Sequence, residues 1–171
     1  MRRATTSRCD GPRTHAVRPG GDPPAGTFAR RPRRSGTAPE RACPGQLRAV
    51  GRRAAEALVL AAVDAGGELL GGVTYVAPGS PWADVAGPDE AEFRMLAVSR
   101  TARGRGAGEA LVRACVDRAR AAGGLSGIVL STQSSMEAAH RIYRRLGFVR
   151  TPERDWSPLP GFTLLTFRLP L

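Results

Sequence analysis

The sequence predicts one α/β (α+β) domain, built on a mixed, mostly antiparallel sheet with helices on both faces. Three observations predict it. A strand-like run, Ala91–Val98, passes through a glycine-rich turn into a helical run, Glu109–Ala122. A second apolar strand, Gly127–Ser131, follows that helix, so strand and helix alternate in the middle of the chain. On either side of this unit the strand-like runs succeed one another across turns and loops, which is antiparallel patterning.

The elements follow in order. Leu47, Val50, Ala54 and Leu58 recur at helical spacing, so Gln46–Ala57 reads as an amphipathic helix. Leu58–Val63 is a strand, and Ala65-Gly66-Gly67 turns it back into Glu68–Val76 as a hairpin. Gly71-Gly72 inside the second strand marks a bulge or a close backbone approach. Ala77–Glu90, rich in proline and glycine, is a long loop. In Ala91–Val98, Phe93, Met95 and Ala97 alternate with Glu92, Arg94 and Leu96. The helix Glu109–Ala122 buries Leu111, Val112, Cys115 and Val116 and ends at Gly123-Gly124. Cys115 has apolar neighbours and no nearby histidine, which makes it core rather than a nucleophile. Ser134 and Glu137 are spaced as a capping box for a last helix that presents Ala139, Ile142 and Leu146 to the sheet, leaves His140 in solvent and stops at Gly147. Phe148–Arg150 and Phe162–Leu169 close the chain as strands, joined by the loop Thr151–Gly161.

Composition divides the chain at residue 45. All 26 basic residues are arginine, a bias set by genome composition rather than by function, and the net charge is +11. Residues 1–45 hold ten arginines against Asp10, Asp22 and Glu40, together with seven prolines and almost no large apolar residues. Such a stretch cannot offset the entropy of ordering, so 1–45 reads as a disordered tail and 46–171 as the folded domain. A nucleic-acid-binding arm using Arg30, Arg31, Arg33 and Arg34 is the sharper alternative, but no aromatic residues interleave with them for stacking. No apolar run reaches transmembrane length, and no signal-peptide core follows the first arginines. Cys9, Cys43 and Cys115 form no disulfide framework, so the expected location is the reducing cytoplasm.

The turn before the central helix carries the chemistry. Glycines at 104, 106 and 108 open a helix, which leaves unpaired N–H groups at its positive end and makes an anion site, most often for phosphate. A Walker A loop would end in Gly-Lys-Ser/Thr, and the chain has no lysine. A Rossmann fingerprint from Gly104 would need glycine where Glu109 stands. Arg103-Gly104-Arg105-Gly106-Ala107-Gly108 does fit Arg/Gln-x-x-Gly-x-Gly/Ala. Alone this hexapeptide could also be a plain turn or an Arg-Gly tract touching RNA. It is followed, however, by Ala139-His140-Arg141-Ile142-Tyr143-Arg144-Arg145-Leu146-Gly147-Phe148, which matches Ala-x-x-x-Tyr-x-x-x-Gly-Phe. With these two motifs in this order, the chain resembles the GNAT superfamily of N-acetyltransferases over about residues 55–170.

The resemblance implies acetyl-CoA as co-substrate. It places the pyrophosphate on Arg103, Gly104, Arg105, Gly106, Ala107 and Gly108, and the pantetheine arm along the backbone of Leu96, Ala97 and Val98 as an added pseudo-strand. The N–H near Leu96 would polarise the acetyl carbonyl. Tyr143 would protonate the leaving thiolate; the alternative is a core tyrosine. Glu92 would be the general base, as in family members whose glutamate there often acts through water; the alternative is a carboxylate paired with Arg94 or another arginine. Transfer to an amine would be direct, in a ternary complex. The acceptor loops would be Ala77–Glu90, with Trp82, and Thr151–Gly161, with Trp156. Their Asp84, Asp89, Glu90, Glu153 and Asp155 would suit a cationic amine, unless the tryptophans merely pin the loops. The acceptor (small amine, antibiotic-like compound, protein N-terminus or lysine) and the oligomeric state, a homodimer among the options, stay open. A silent acyl-CoA-binding module and a nucleic-acid-binding protein acting through the tail are the competing functions. The family's first strand and one helix are not legible before residue 46. A mis-started or frame-shifted segment there would expose the edge of Leu58–Val63.

Overall fold

The computed structural model describes residues 12–17 and 57–171. Eight strands form one sheet: β1 (Arg13–Val17), β2 (Leu58–Val63), β3 (Leu69–Val76), β4 (Glu90–Val98), β5 (Gly127–Gln133), β6 (Val149–Arg150), β7 (Trp156–Leu159) and β8 (Phe162–Pro170). Their spatial order is β1-β2-β3-β4-β5-β8-β6, with β7 paired to β8. Every pairing is antiparallel except β4–β5. That one parallel pair is joined by helix α1 (Ala107–Ala122), and helix α2 (Glu137–Arg145) follows β5.

The pleat sorts side chains onto two faces. Ala91 and Phe93 of β4, Ile128 and Leu130 of β5 and Phe167 and Leu169 of β8 join Leu111, Val112, Cys115, Val116 and Ala119 of α1 in one buried cluster. Cys115 is fully buried, and burial pushes its thiol up to about 12, so it is a packing residue as its neighbours in sequence indicate. The alternate residues Glu90, Glu92, Thr74 and Thr166 are buried too, but on the other face and outside this cluster.

Helix α2 ends in a backbone motif that explains the Gly-Phe of its sequence. Gly147 has φ 91°, its N–H reaches the Arg144 carbonyl, and the Phe148 N–H reaches that of Tyr143 at 3.0 Å. This double closure needs glycine at the left-handed position and drops Phe148 into the core against Phe93 and Tyr143.

Five expectations change. Residues 13–17 are not irregular: they pair antiparallel with β2 from Arg13↔Val63 to Val17↔Val59, and so cover the edge expected to be bare. Averaging composition over 45 residues hides a five-residue run free of proline and glycine, and an edge ladder needs only backbone groups. The rest of the tail and all of the helix Gln46–Ala57 except Ala57 lie outside the described residues. His140 is buried, not solvated; its Nε2 lies 3.0 Å from the Gln133 carbonyl and its ring packs on Phe167. The buried face of α2 therefore centres on His140 and Tyr143, with Ala139, Ile142 and Leu146 on its flanks. No capping box forms, because the helix starts at Glu137 behind Met136 and has no side-chain cap. Finally, Thr151–Gly161 is not all loop: it holds the short 3-10 turn Pro152–Arg154 and β7.

The Gly71-Gly72 pair works as a close approach. A Cβ on Gly71 would sit 2.4 Å from the Ala97 carbonyl oxygen and 3.1 Å from the Val98 Cα. The β2–β3 register shifts beside it, between Ala62 and Val63. Gly71→Ala must push β3 and β4 apart, and we expect it to cost about 1–3 kcal/mol in urea unfolding. A loss under about 0.5 kcal/mol would show that the two backbones have room.

Candidate active site

Strands β4 and β5 are paired only at Glu90↔Gly127, Ala91↔Ile128 and Glu92↔Val129. Beyond that point β5 stays on β8 as far as Gln133, and β4 stays on β3. The cause lies in β4. Gly72 faces Ala97 and Thr74 faces Arg94, so Val73 alone opposes both Met95 and Leu96. This is a bulge, and Met95 within it has φ 56°. A non-glycine residue there carries roughly 1–2 kcal/mol of backbone strain, and a bulge bends its strand. The two strands part, and the edge of β4 from Phe93 to Val98 has no strand partner on its β5 side among the described residues. Leu96, Ala97 and Val98 lie on this open edge.

The chain leaves the gap at Val98 and makes the anion cradle. A short 3-10 turn, Arg100–Ala102, buries Ala102, and Arg103–Gly106 are exposed. Gly104 and Gly106 have φ 76° and 79°, and Gly106 is the N-cap of α1. The N–H groups of Gly104, Gly106, Ala107, Gly108 and Glu109 have no backbone acceptor among the described residues, and the helix has no side-chain cap. At Gly108 a Cβ would meet Ile142 Cδ1 at 3.3 Å and Val98 Cγ2 at 3.5 Å, so the helix starts in close contact with both β4 and α2 and the position suits a small residue. Arg105 ion-pairs with Asp64 of the β2–β3 turn at 3.1 Å. Glu109 would repel an anion here, but Arg113 and Arg145 pair with it and hold its carboxyl below the usual range.

Tyr143 faces the gap from α2. Its ring packs against Phe93, Phe148 and Phe167 at centroid distances of 5.7–6.0 Å, and its hydroxyl neighbours the side chain of Thr132 of β5, whose own hydroxyl donates to Met136 Sδ at 3.5 Å. Thr132 lies beyond the last β4–β5 pair, so this hydroxyl sits on the β5 wall of the opening. Burial pushes the phenol up to about 12, which keeps it protonated at neutral pH.

Glu92 is fully buried on the opposite face. Its Oε2 accepts three successive N–H groups, from Asp84, Val85 and Ala86, at 2.9–3.1 Å. Its Oε1 has no hydrogen bond and lies 3.6 Å from Arg94 Nε. Burial pushes this carboxyl up, against the pull of the Val85 and Asp84 N–H groups and Arg94.

Three of the five loop acids are paired with arginine, while Asp89 and Glu153 are exposed. Asp84 pairs with Arg94, Asp155 with Arg150, and Glu90 with both Arg154 and Arg168. Trp82 and Trp156 are half-buried, and the Trp156 indole N–H is enclosed without a partner among the described residues. The structure also reveals residues that reading the sequence missed, above all Arg154 and Arg168 around Glu90. The spacing Glu90-x-Glu92-x-Arg94 puts three charges on one strand face, which was the available signal. The arginines that answer Glu90 lie 64 and 78 residues away.

A model of the acetyltransferase (GNAT) family matches residues 28–148. The chain belongs to that family. The matched stretch takes in both the cradle and Tyr143, and begins inside the segment whose composition reads as a tail. N-acetylaspartate synthetase of Danio rerio is 38% identical over 72 residues, which are 42% of this chain and 25% of that protein. The chain thus spans about a quarter of that relative's length. A GCN5-related N-acetyltransferase from Kribbella flavida is 29% identical, with a TM-score of 0.52 over 68% of each chain. Arabidopsis thaliana NAA60, solved with a bisubstrate analogue, is 26% identical, with a TM-score of 0.53 over 67% of this chain and 75% of its own. Among the described residues of this GNAT chain, no helix is long and apolar enough to cross a membrane.

The Glu90 pairings give a pH signature. Burial pushes this carboxyl up, but the Arg154 and Arg168 guanidiniums and the Gly87 N–H pull it further down, from 4.5 to about 2. A carboxyl lowered by folding stabilises fully above its unfolded value, and that contribution is lost as pH falls through the folded one. The stability gap between wild type and Glu90→Gln, read by urea unfolding, should therefore be widest near neutrality and close between pH 4.5 and about 2. A gap that stays constant over this window would mean that Glu90 is not paired as drawn.

Proposed function

We propose that this protein is an acetyl-CoA-dependent N-acetyltransferase that moves the acetyl group directly to a primary amine in a ternary complex. The observation that carries this reading is the parting of β4 from β5, with the unpaired N–H cradle at one end and the Tyr143 hydroxyl on its wall. The pyrophosphate rests on the N–H groups from Gly104 to Gly108, with Arg103 and Arg105 beside it. For Arg105 this means exchanging Asp64 for phosphate. The pantetheine amides pair with the free β4 edge at Leu96, Ala97 and Val98, and the Leu96 N–H polarises the acetyl carbonyl, an effect worth about 3–4 kcal/mol.

The amine nitrogen attacks the carbonyl carbon, the carbon–sulfur bond breaks, and the Tyr143 hydroxyl meets the thiolate as it forms. Glu92 acts by holding the loop rather than as the base. Three N–H groups occupy one of its oxygens, and the other is enclosed beside Arg94. Asp84, Glu90 and Asp155 are paired with arginine, which leaves only the exposed Asp89 and Glu153 to meet a cation, and the acceptor is read only as a primary amine. The cysteine pattern supports a reducing, cytoplasmic setting.

Thiol release from acetyl-CoA over a panel of primary amines, run beside CoA calorimetry, tests the whole reading. Binding without turnover on any amine would favour a silent acyl-CoA-binding module. Two variants test its parts. Gly106→Asp puts a carboxylate where the pyrophosphate rests and should abolish CoA binding; an unchanged affinity would remove the cradle. Tyr143→Phe keeps the ring packing, so CoA affinity should hold while kcat falls on the order of 10²-fold. Wild-type kcat in a variant whose chemistry limits turnover would leave Tyr143 as core alone.

A further inference from the structure

Four consecutive backbone N–H groups of the loop before β4 converge on two carboxylates. Those of Asp84, Val85 and Ala86 bond Glu92 Oε2, and that of Gly87 bonds Glu90 Oε2 at 2.9 Å. Arg94, next on the same strand face, holds the Trp82 carbonyl and the Asp84 carboxylate. All of these ties are local to the loop and its strand. One further tie is not. Arg154, in the 3-10 turn Pro152–Arg154, donates to both oxygens of Glu90, at 3.1 and 2.7 Å, and to the Val85 carbonyl. Its own carbonyl accepts the Thr166 hydroxyl of β8 at 2.8 Å. Arg154 thus joins the loop of Trp82 to the segment that runs into Trp156.

This junction stands on the side the second substrate must use. The helix face of the β4–β5 gap is closed by the rings of Phe93, Tyr143, Phe148 and Phe167. On the acetyl-transfer reading the cofactor arm would fill the gap itself, which leaves the opposite face, where Glu92, Arg94 and their loop lie, for the acceptor. We propose that Arg154 is a positioning residue for the acceptor: its guanidinium locks the Trp82 loop to the Trp156 segment and so fixes the wall against which the amine is presented. This rests on the acetyl-transfer reading above.

The geometry separates this positioning from fold stability. Glu90 keeps Arg168, at 2.6 Å, and the Gly87 N–H when Arg154 is removed, so no buried carboxylate is stranded. The loop keeps its N–H bonds to Glu92. What is lost is the bond across to Val85 and the two-pronged grip on Glu90. A lysine cannot replace that grip, because its ammonium lacks the planar fork.

The test compares wild type, Arg154→Met and Arg154→Lys by steady-state thiol release, using whichever amine of the panel wild type turns over, with amide hydrogen exchange read at residues 84–87. The proposal expects the amine KM of Arg154→Met to rise about tenfold and the acetyl-CoA KM to stay within about twofold. It also expects faster exchange at 84–87, cooperative unfolding with a thermal midpoint lowered by no more than a few degrees, and only partial recovery with lysine. KM values that rise together, or neither rising, overturn it. So does full recovery with lysine. If wild type turns over no amine, the acetyl-transfer reading fails by itself. Exchange then decides: faster exchange at 84–87 in Arg154→Met upholds the lock, and unchanged exchange overturns it. If Arg154→Met does not fold, the residue is a stability element and the proposal is overturned.

Discussion

β4 and β5 are hydrogen-bonded as far as Glu92 and Val129 and no further, because β4 gains a residue at Met95 and bends away. The rest of the molecule depends on that parting. It opens one edge of β4 while β3 still holds the other, so from Leu96 to Val98 that edge has no strand partner among the described residues. It sends the chain from Val98 into the glycine turn, whose free N–H groups then lie in line with the gap. It leaves Thr132 without a β4 neighbour, and the Tyr143 hydroxyl takes that place beside the opening. An unpaired strand edge invites any extended amide chain. Here the open edge is short and is followed by a turn of free N–H groups, which would suit a guest both amide-bearing and phosphorylated.

The face away from the helices solves a different problem. Glu90 and Glu92 are almost completely enclosed, and a lone buried carboxylate costs several kcal/mol. Glu92 is compensated by backbone N–H groups from one short loop, Glu90 by two arginines from distant segments. Both devices convert a desolvation cost into order: a loop that would otherwise be slack is wrapped onto a strand. The arginine-only composition fits this face well. Forked donors reach two carboxylate oxygens and a carbonyl together, as Arg154 does, and Arg150 grips both oxygens of Asp155 while also reaching the Thr166 carbonyl.

What could be read from the sequence was local. The glycine turn, the helix after it, the Gly-Phe stop of α2 and the close approach at Gly71 all arise from conformations that a few neighbouring residues dictate. The bulge at Met95 left no mark, because no glycine announces it and its cause is the register against β3. β1 was hidden for the same reason: it is held by pairing with residues 42 or more positions away, not by its own composition. His140 was misplaced by one step of the helical wheel, since the buried face of α2 is set by where Gln133 and Phe167 stand. For Glu92 the sequence offered two roles, base or paired carboxylate, and what bears on them, three N–H groups on one oxygen, belongs to the fold of a loop. The acidic residues of the acceptor loops were legible as charges, but their arginine partners were not.

On the proposed reading Tyr143 would join the packing and chemical roles that the sequence set as alternatives, and burial of its phenol limits how. A phenol pushed up by burial gives up its proton reluctantly to a thiolate, the conjugate base of a stronger acid. Complete transfer from Tyr143 alone would therefore leave an expensive buried phenolate. A hydrogen bond to the developing thiolate incurs no such cost, and it strengthens as charge gathers on sulfur, which is when stabilisation speeds the reaction. The proton that finally resides on sulfur is then best supplied by the amine, which becomes strongly acidic once bonded to the acetyl carbon, with the hydroxyl passing one proton forward as it receives another. In this scheme the aromatic packing that raises the phenol's value is part of the mechanism: Phe93, Phe148 and Phe167 keep the hydroxyl neutral, oriented and out of water.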